Sequence, residues 1–373
     1  MFRTRKLTIV LSVFACILFS SSITSAQIRT VLVSPVPGDP IASGTNLRNA
    51  LDNIPSPSST NRWLVKIEPG IYQLQGNALS MRPWVDIEGS GIGVTTIRLA
   101  APTTPTVPTI SGASNAELRM LTVEATENTI AMFNSNAHPR VYRVKFVVVT
   151  NQTQAAAAMS NVSSAPKIEE CEFIVAVSAP GGLGLGYGIR FIDFTPNGAR
   201  SSILRSRITV YGAHTNYGVH MFRGQTVVEI NDTRMDVTGG SNTYGIYALG
   251  GDWQGSETIE IRNLVINSAG GSVRSAGIWL ESGTTVGLDI YNSRIWGHVS
   301  PITQGIFQGG NIPVGLRYSS IVGFTKTVET VHNAGIAWTE LIGGPVTGSP
   351  NSWIGCIAVV DEMAVFYANG CPP

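Results

Sequence analysis

From residue 118 onward the apolar positions of this chain fall in sets of three, at i, i+3 and i+5. The sets are Leu118/Leu121/Val123, Val141/Val144/Phe146, Ile168/Cys171/Phe173, Ile203/Ser206/Ile208, Ile230/Thr233/Met235, Ile261/Leu264/Ile266, Ile290/Ser293/Ile295 and Leu316/Ser319/Ile321, with Ser or Thr at the middle position of four. A second pattern runs between them: Tyr187-Gly188-Ile189, Tyr217-Gly218-Val219, Tyr244-Gly245-Ile246, Ala276-Gly277-Ile278 and Gln304-Gly305-Ile306, with glycine spacings of 30, 27, 32 and 28. Such a period, built from short alternating stretches broken by Gly, Asn, Ser and Asp, predicts stacked β coils. Strands of one coil then pair in parallel with those of the next, and the variable spacing puts insertions in turns. A β-propeller blade would need about 40 residues or more.

One helix is predicted. Ser43-Gly44-Thr45 can cap it, and Leu47, Ala50, Leu51 and Ile54 fall at i, i+3, i+4 and i+7 before Pro55 and Pro57. A solenoid leaves core and strand edges open at its ends, so Thr45–Ile54 is expected as an N-terminal cap after a first strand. Gly89, Gly91 and Gly93 lack the spacing and following helix of a phosphate loop and read as a turn.

Composition narrows the partners. With 13% charged residues and a net charge of +1 over 373 residues, the chain has no basic excess for nucleic acid. Residues 1–26 carry a signal pattern: Arg3, Arg5 and Lys6, an apolar run from Leu7 to Phe19, and Thr24-Ser25-Ala26 before a mature start near Gln27. That run is short for a membrane span, so no transmembrane segment is expected after cleavage. Val13-Phe14-Ala15-Cys16 faintly resembles a lipidation box. The mature cysteines are Cys171, expected in the core, and Cys356 and Cys371, expected to pair and close the tail at 351–373.

Leu47-Arg-Asn-Ala-Leu-Asp-Asn-Ile54, Val65-Lys-Ile-Glu-Pro-Gly-Ile-Tyr72, Val85-Asp-Ile-Glu-Gly-Ser-Gly91 and Thr96-Ile97 together resemble the opening of the pectinesterase and pectin-lyase-like β-helix proteins, over about residues 40–98. The resemblance implies a right-handed parallel β-helix and a carbohydrate-facing role. The families' catalytic motifs are not matched. Asp193-Phe194 shares two residues with a pectinesterase motif, and Arg82-Pro83-Trp84 has a fitting composition in the wrong coil. The polygalacturonase and calcium-type pectate lyase motifs are absent. No cofactor is predicted from the residues themselves; Ca²⁺ would enter only with a lyase.

Candidate site residues follow from strand alternation. If the residue after each repeat glycine points inward, the next points out, giving the row Arg190, His220, Tyr247, Trp279 and Phe307. Equivalent positions in successive coils stand about 4.8 Å apart. The row could line a glycan groove, with rings on sugar faces and Arg190 on a carboxylate, or could be a stabilising surface ladder. A second outward line holds Lys145, Glu172, Arg207, Arg234 and Arg294. It would suit an anionic polysaccharide, unless Asp232, Asp236 or Asp289 neutralises it. Glycoside hydrolysis needs two carboxyls about 5–9.5 Å apart; Asp252 with Glu281 could supply them, Asp193 is a third candidate, and His220 is a possible proton carrier. The whole reads as one exported β-helix domain, residues 27–373 with 27–62 as N-terminal strand and cap. It would bind or modify an extracellular polysaccharide; the opposing reading is a non-catalytic structural or adhesion β-helix.

Overall fold

The computed structural model describes residues 28–178, 184–193, 200–222, 228–249, 258–281, 287–309, 314–330, 334–348, 354–361 and 366–369. The expected signal segment, Asp252 and Cys371 lie outside them.

The protein is a parallel β-helix. Each repeating coil supplies three short strands. The first strand stacks from Arg29–Val33 through Trp63–Ile67 and Val85–Glu88 to Ile354–Asp361. The second stacks from Gly70–Gln75 through Thr95–Ala100 to Glu340–Gly343. The third forms a separate sheet of eleven strands, from Leu79–Ser80 to Val346–Gly348, matching the ten or eleven coils expected. Pairing is parallel throughout these ladders, and the described chain ends on an antiparallel pair, Ile354–Asp361 with Phe366–Asn369.

The i, i+3, i+5 pattern has a backbone cause. In all eight sets residue i+2 is left-handed: Met120, Arg143, Glu170, Arg205, Asp232, Asn263, Asn292 and Tyr318 have φ between 46° and 58°. That single residue turns the chain from the first strand into the second, so i and i+3 both face inward, and strict alternation then resumes to i+5. Ile336/Thr339/Leu341, with Trp338 at φ 47°, forms a ninth set. The hydrogen-bond ladder continues through the corner: the amides of Arg205, Asp232 and Asn263 donate to Asn231 O, Arg262 O and Tyr291 O of the next coil at 3.0–3.1 Å. The buried hydroxyls at i+3 are satisfied there too. Ser206 and Ser293 Oγ each donate to the carbonyl two residues back at 2.8 Å, and Ser206 Oγ accepts from the Cys171 amide of the preceding coil. Cys171 is free and buried, as expected, and burial pushes its thiol up to about 12.

The repeat glycines serve close approach. A Cβ on Gly245 would stand 2.5 Å from Gly277 O and collide with Ile266 on the facing sheet, and Gly218 and Gly277 are equally tight. The core between these sheets holds Ile189, Val219, Ile246, Ile278 and Ile306, all buried, so the inward register is as expected.

The helix departs from expectation at its start. It runs Pro40–Asp52, with Asp39 as N-cap: Asp39 Oδ1 accepts from the Ile41 and Ala42 amides at 3.1 and 2.9 Å. Pro40 at the first position is preset for a helix and has no amide to leave unpaired. Ser43, expected near the cap, is instead buried in the first turn. Leu47 and Leu51 are in the core, and the helix packs on Gly70–Gln75. Cys356 is buried.

Gly245→Ala is expected to lower stability by about 1–3 kcal/mol, the cost of overpacking a closed site, whereas Gly335→Ala, with nothing within 4 Å of its Cβ position, should be near neutral. Urea unfolding of both variants checks this; equal midpoints would contradict the close-approach role.

Candidate functional site: an aromatic sheath on the eleven-stranded sheet

The five residues expected in one outward row do stack. Arg190 pairs in register with His220, His220 with Tyr247, Tyr247 with Trp279, and Trp279 with Phe307. A second column, Tyr187, Tyr217 and Tyr244, stands beside it. Its rings stack at 5.0 and 5.4 Å. The columns interlock edge-to-face: His220 against Tyr187 and Tyr217, Tyr247 against Tyr217 and Tyr244, Trp279 against Tyr244. Within the first column His220 stacks on Tyr247 at 5.4 Å and Trp279 on Phe307 at 3.9 Å. These geometries suit ring quadrupoles. Strand alternation from the repeat glycines does not reveal this tyrosine column; its signal in the sequence is the tyrosine before the first three of the five repeat glycines.

The sheath is more enclosed than an open outward row. His220 and Trp279 are each only 6% exposed, while Arg190, Tyr217, Tyr247 and Phe307 are half-buried. Two guanidiniums lie on the sheath: Arg190 over Tyr187 at 5.0 Å and Arg274 over Trp279 at 4.2 Å. Burial, reinforced by Arg190, pulls the His220 imidazole down to about 3. It is neutral at ordinary pH and packs as an aromatic ring, which argues against a proton carrier.

Among the described residues, two carboxylates lie on this face: Glu329, next to Phe307 in register and paired with Lys326, and Glu281 among the rings. Glu281 Oε1 accepts from Tyr247 Oη at 3.1 Å and from Trp279 Nε1 at 2.9 Å. Burial, and then the negative charge of Glu281, push the Tyr247 phenol well above its ordinary value, so it stays a donor. Asp193 is exposed and left-handed at the end of its strand. It lies three coils from Glu281, roughly 14 Å along the axis at about 4.8 Å per coil, too far for a hydrolytic carboxyl pair. Asp252, the other expected partner of Glu281, lies outside the described residues.

The charged line lies elsewhere, on the second-strand face. Arg207 and Arg234 are neighbours in register, and Asp236 resolves their repulsion: it accepts from Arg234 Nε at 2.9 Å and from Arg207 Nη2 at 3.3 Å. The Arg234 guanidinium, with Arg207 behind it, holds the Asp236 carboxyl below the usual range. Lys145 pairs with Glu172 at 3.0 Å. Arg207, Arg234 and Glu172 line a shallow groove of about 420 Å³. Lys145, Glu172, Arg207 and Arg234 thus form a paired surface rather than free charges, while Arg294, further along the same row, has no ion-pair partner among the described residues. Among the described residues, no group of three His, Cys, Asp or Glu could hold a metal ion, and no helix is long and apolar enough to cross a membrane.

Burial of the neutral His220 imidazole makes stability depend on pH. Its folded pKa lies below the ordinary 6.5, so the unfolded state binds the proton first and folding stability falls as pH drops from about 6.5 towards 3. His220→Phe should remove that part of the acid sensitivity. Urea midpoints measured across this pH range test it; parallel curves for the two proteins would refute the buried neutral imidazole.

No protein-family model matches the chain, and no curated protein sequence matches it. Solved structures do resemble it. The Azotobacter vinelandii mannuronan C-5 epimerase AlgE4 A-module superposes with a TM-score of 0.53 at 15% identity, covering 87% of this chain and 89% of that one. A GH87 α-1,3-glucanase catalytic domain in complex with nigerose gives 0.50 at 13%, covering 87% and 67%. Tailspike protein 3 of bacteriophage CBA120 gives 0.50 at 13%, covering 87% and 55%. At these identities the likeness is one of fold alone, the parallel β-helix.

Proposed function

We propose that this chain is an exported polysaccharide-binding β-helix whose glycan site is the outer face of the eleven-stranded sheet, centred on Tyr247, Trp279 and Glu281. One observation carries the reading: a single carboxylate oxygen held by a tyrosine hydroxyl and an indole N–H, at the centre of stacked rings that repeat at about the length of a sugar residue. Apolar sugar faces suit the half-buried rings of Tyr247 and Phe307, sugar hydroxyls suit Glu281, and Arg190 suits a uronic carboxylate. The fold likeness to a mannuronan epimerase module, an α-1,3-glucanase domain and a tailspike agrees with a carbohydrate role. Bond cleavage by hydrolysis would need a second carboxyl near Glu281, for which Asp252, next to Trp253 in sequence, is the candidate. Export on the segment 1–26, a single domain over 27–373, right-handed coiling, sealing of the first coil by the helix, and a Cys356–Cys371 bridge belong to the same proposal.

A structural ladder is the second reading, and the near-complete burial of His220 and Trp279 favours it. Affinity gel electrophoresis of the mature protein in neutral and uronic polysaccharides separates the two. Binding should weaken roughly 5- to 30-fold, the effect of one or two kcal/mol, in both Glu281→Gln and Phe307→Ala, and shortened glycan recovered from the gel would make the protein an enzyme. Retardation by no polymer, or retardation indifferent to both substitutions, would leave the structural reading.

A further inference from the structure

On the face formed by the second strands, the outward column reads Asp236, Asn267, Trp296, Val322 and Ile342 in successive coils. It changes from polar to apolar over the last three. The corners flanking these coils are apolar as well. Tyr318 (58% exposed) and Trp338 (53%) stand on one side and Phe324 (63%) on the other. Two continuous grooves of about 790 and 370 Å³ run through this region and share Arg294, Ser320 and Glu340. Large exposed apolar patches on a soluble surface mark contact sites.

The neighbouring column identifies the occupant. Arg294, Ser320 and Glu340 stack in register. Neither Arg294 nor Glu340 has an ion-pair partner among the described residues, unlike Arg207 and Arg234 earlier in the same column. The two free charges are opposite and equidistant from Ser320. A twofold axis along the strand Ser320–Gly323, lying in the plane of contact between two facing copies, would set Arg294 of one against Glu340 of the other, and the reverse. The same operation sets Val322 against Val322, Trp296 against Ile342, and Tyr318 and Phe324 each against its own copy. We propose that this face is a self-complementary, antiparallel dimer interface, the isologous arrangement a twofold requires. A glycan fits less well. The Tyr318 and Trp338 rings lie parallel (6°) at 5.1 Å, so each covers a face of the other, and the apolar centre offers sugar hydroxyls few partners.

The test is a charge swap read by sedimentation velocity over a range of concentrations, without glycan. The wild type should dimerise. Glu340→Arg alone should raise the dissociation constant at least tenfold by setting four like charges across the interface. Arg294→Glu combined with Glu340→Arg should restore the dimer. Arg294 and Glu340 are exposed, so folding is not at stake in the charge swap, and Val322→Asp, at a half-buried position, gives an independent route to the monomer. A wild type that stays monomeric, or a double reversal that dimerises no better than the single one, would overturn the proposal. So would a monomer whose glycan retardation is lost on Trp338→Ala, since the groove would then belong to a polysaccharide. None of these outcomes depends on Glu281 or Phe307.

Discussion

Every coil of this protein must place its backbone about 4.8 Å from the next, in register, on three faces at once. That spacing is the constraint from which the other features follow. It requires the chain to turn between strands without breaking the ladder, and the left-handed corner residue does so in one step, its amide still donating to the next coil. It also requires the facing sheets to approach closely, which only glycine permits at Gly218, Gly245 and Gly277. Turn insertions are tolerated because they lie outside these fixed points, which is why the repeat varies in length while the strands stay in register.

The same spacing dictates what the outer faces can carry. Identical side chains stack directly, which favours rings and amides and penalises like charges. The corner row shows the range of solutions: Arg143, Glu170 and Arg205 alternate in charge and pair, then Asp232, Asn263 and Asn292 pass a hydrogen bond from coil to coil at 2.7 Å, and Tyr318 then stacks on Trp338. Where two arginines do fall together, Asp236 from the adjacent outward column sits between them. On the third face the solution from His220 to Phe307 is aromatic, and its cost is that His220 must remain neutral and Tyr247 protonated.

Much of this was legible from residue types alone. Inward positions such as Ile246, and the stacking of Arg190 through Phe307, followed from strand alternation, because period two is a hard geometric rule. The i, i+3, i+5 spacing was legible as a pattern but not as a left-handed corner: Arg, Glu, Met and Tyr carry no signal for that conformation, and it is the ladder around them that holds them there. The helix start was displaced to Pro40 because Asp39 and Pro40 form a stronger start than Ser43. The enclosure of His220 was not legible, since exposure depends on the second tyrosine column, whose position relative to the first depends on the close approach at glycine. The pairing of Arg207 and Arg234 with one aspartate was among the alternatives, but which aspartate depended on rotamers and coil register.

The last coils show where the stacking rules and the local cost diverge. A left-handed corner suits Asp and Asn, whose short polar side chains tolerate it, and costs roughly 1–2 kcal/mol for most other L-residues. Asp232, Asn263 and Asn292 meet that preference; Tyr318 and Trp338 do not, and both are exposed, so the core gains nothing from their rings. Stacking on each other offsets about 0.5–1.5 kcal/mol for the pair, less than the two strained backbones cost. Their neighbours Trp296, Val322 and Phe324 show the same excess of apolar surface facing outward. A surface that holds strained, bulky rings without burying them within its own chain is short of stabilisation as a monomer. Contact with a second copy of the same surface, matched in charge through Arg294 and Glu340, would supply it where the coils leave off.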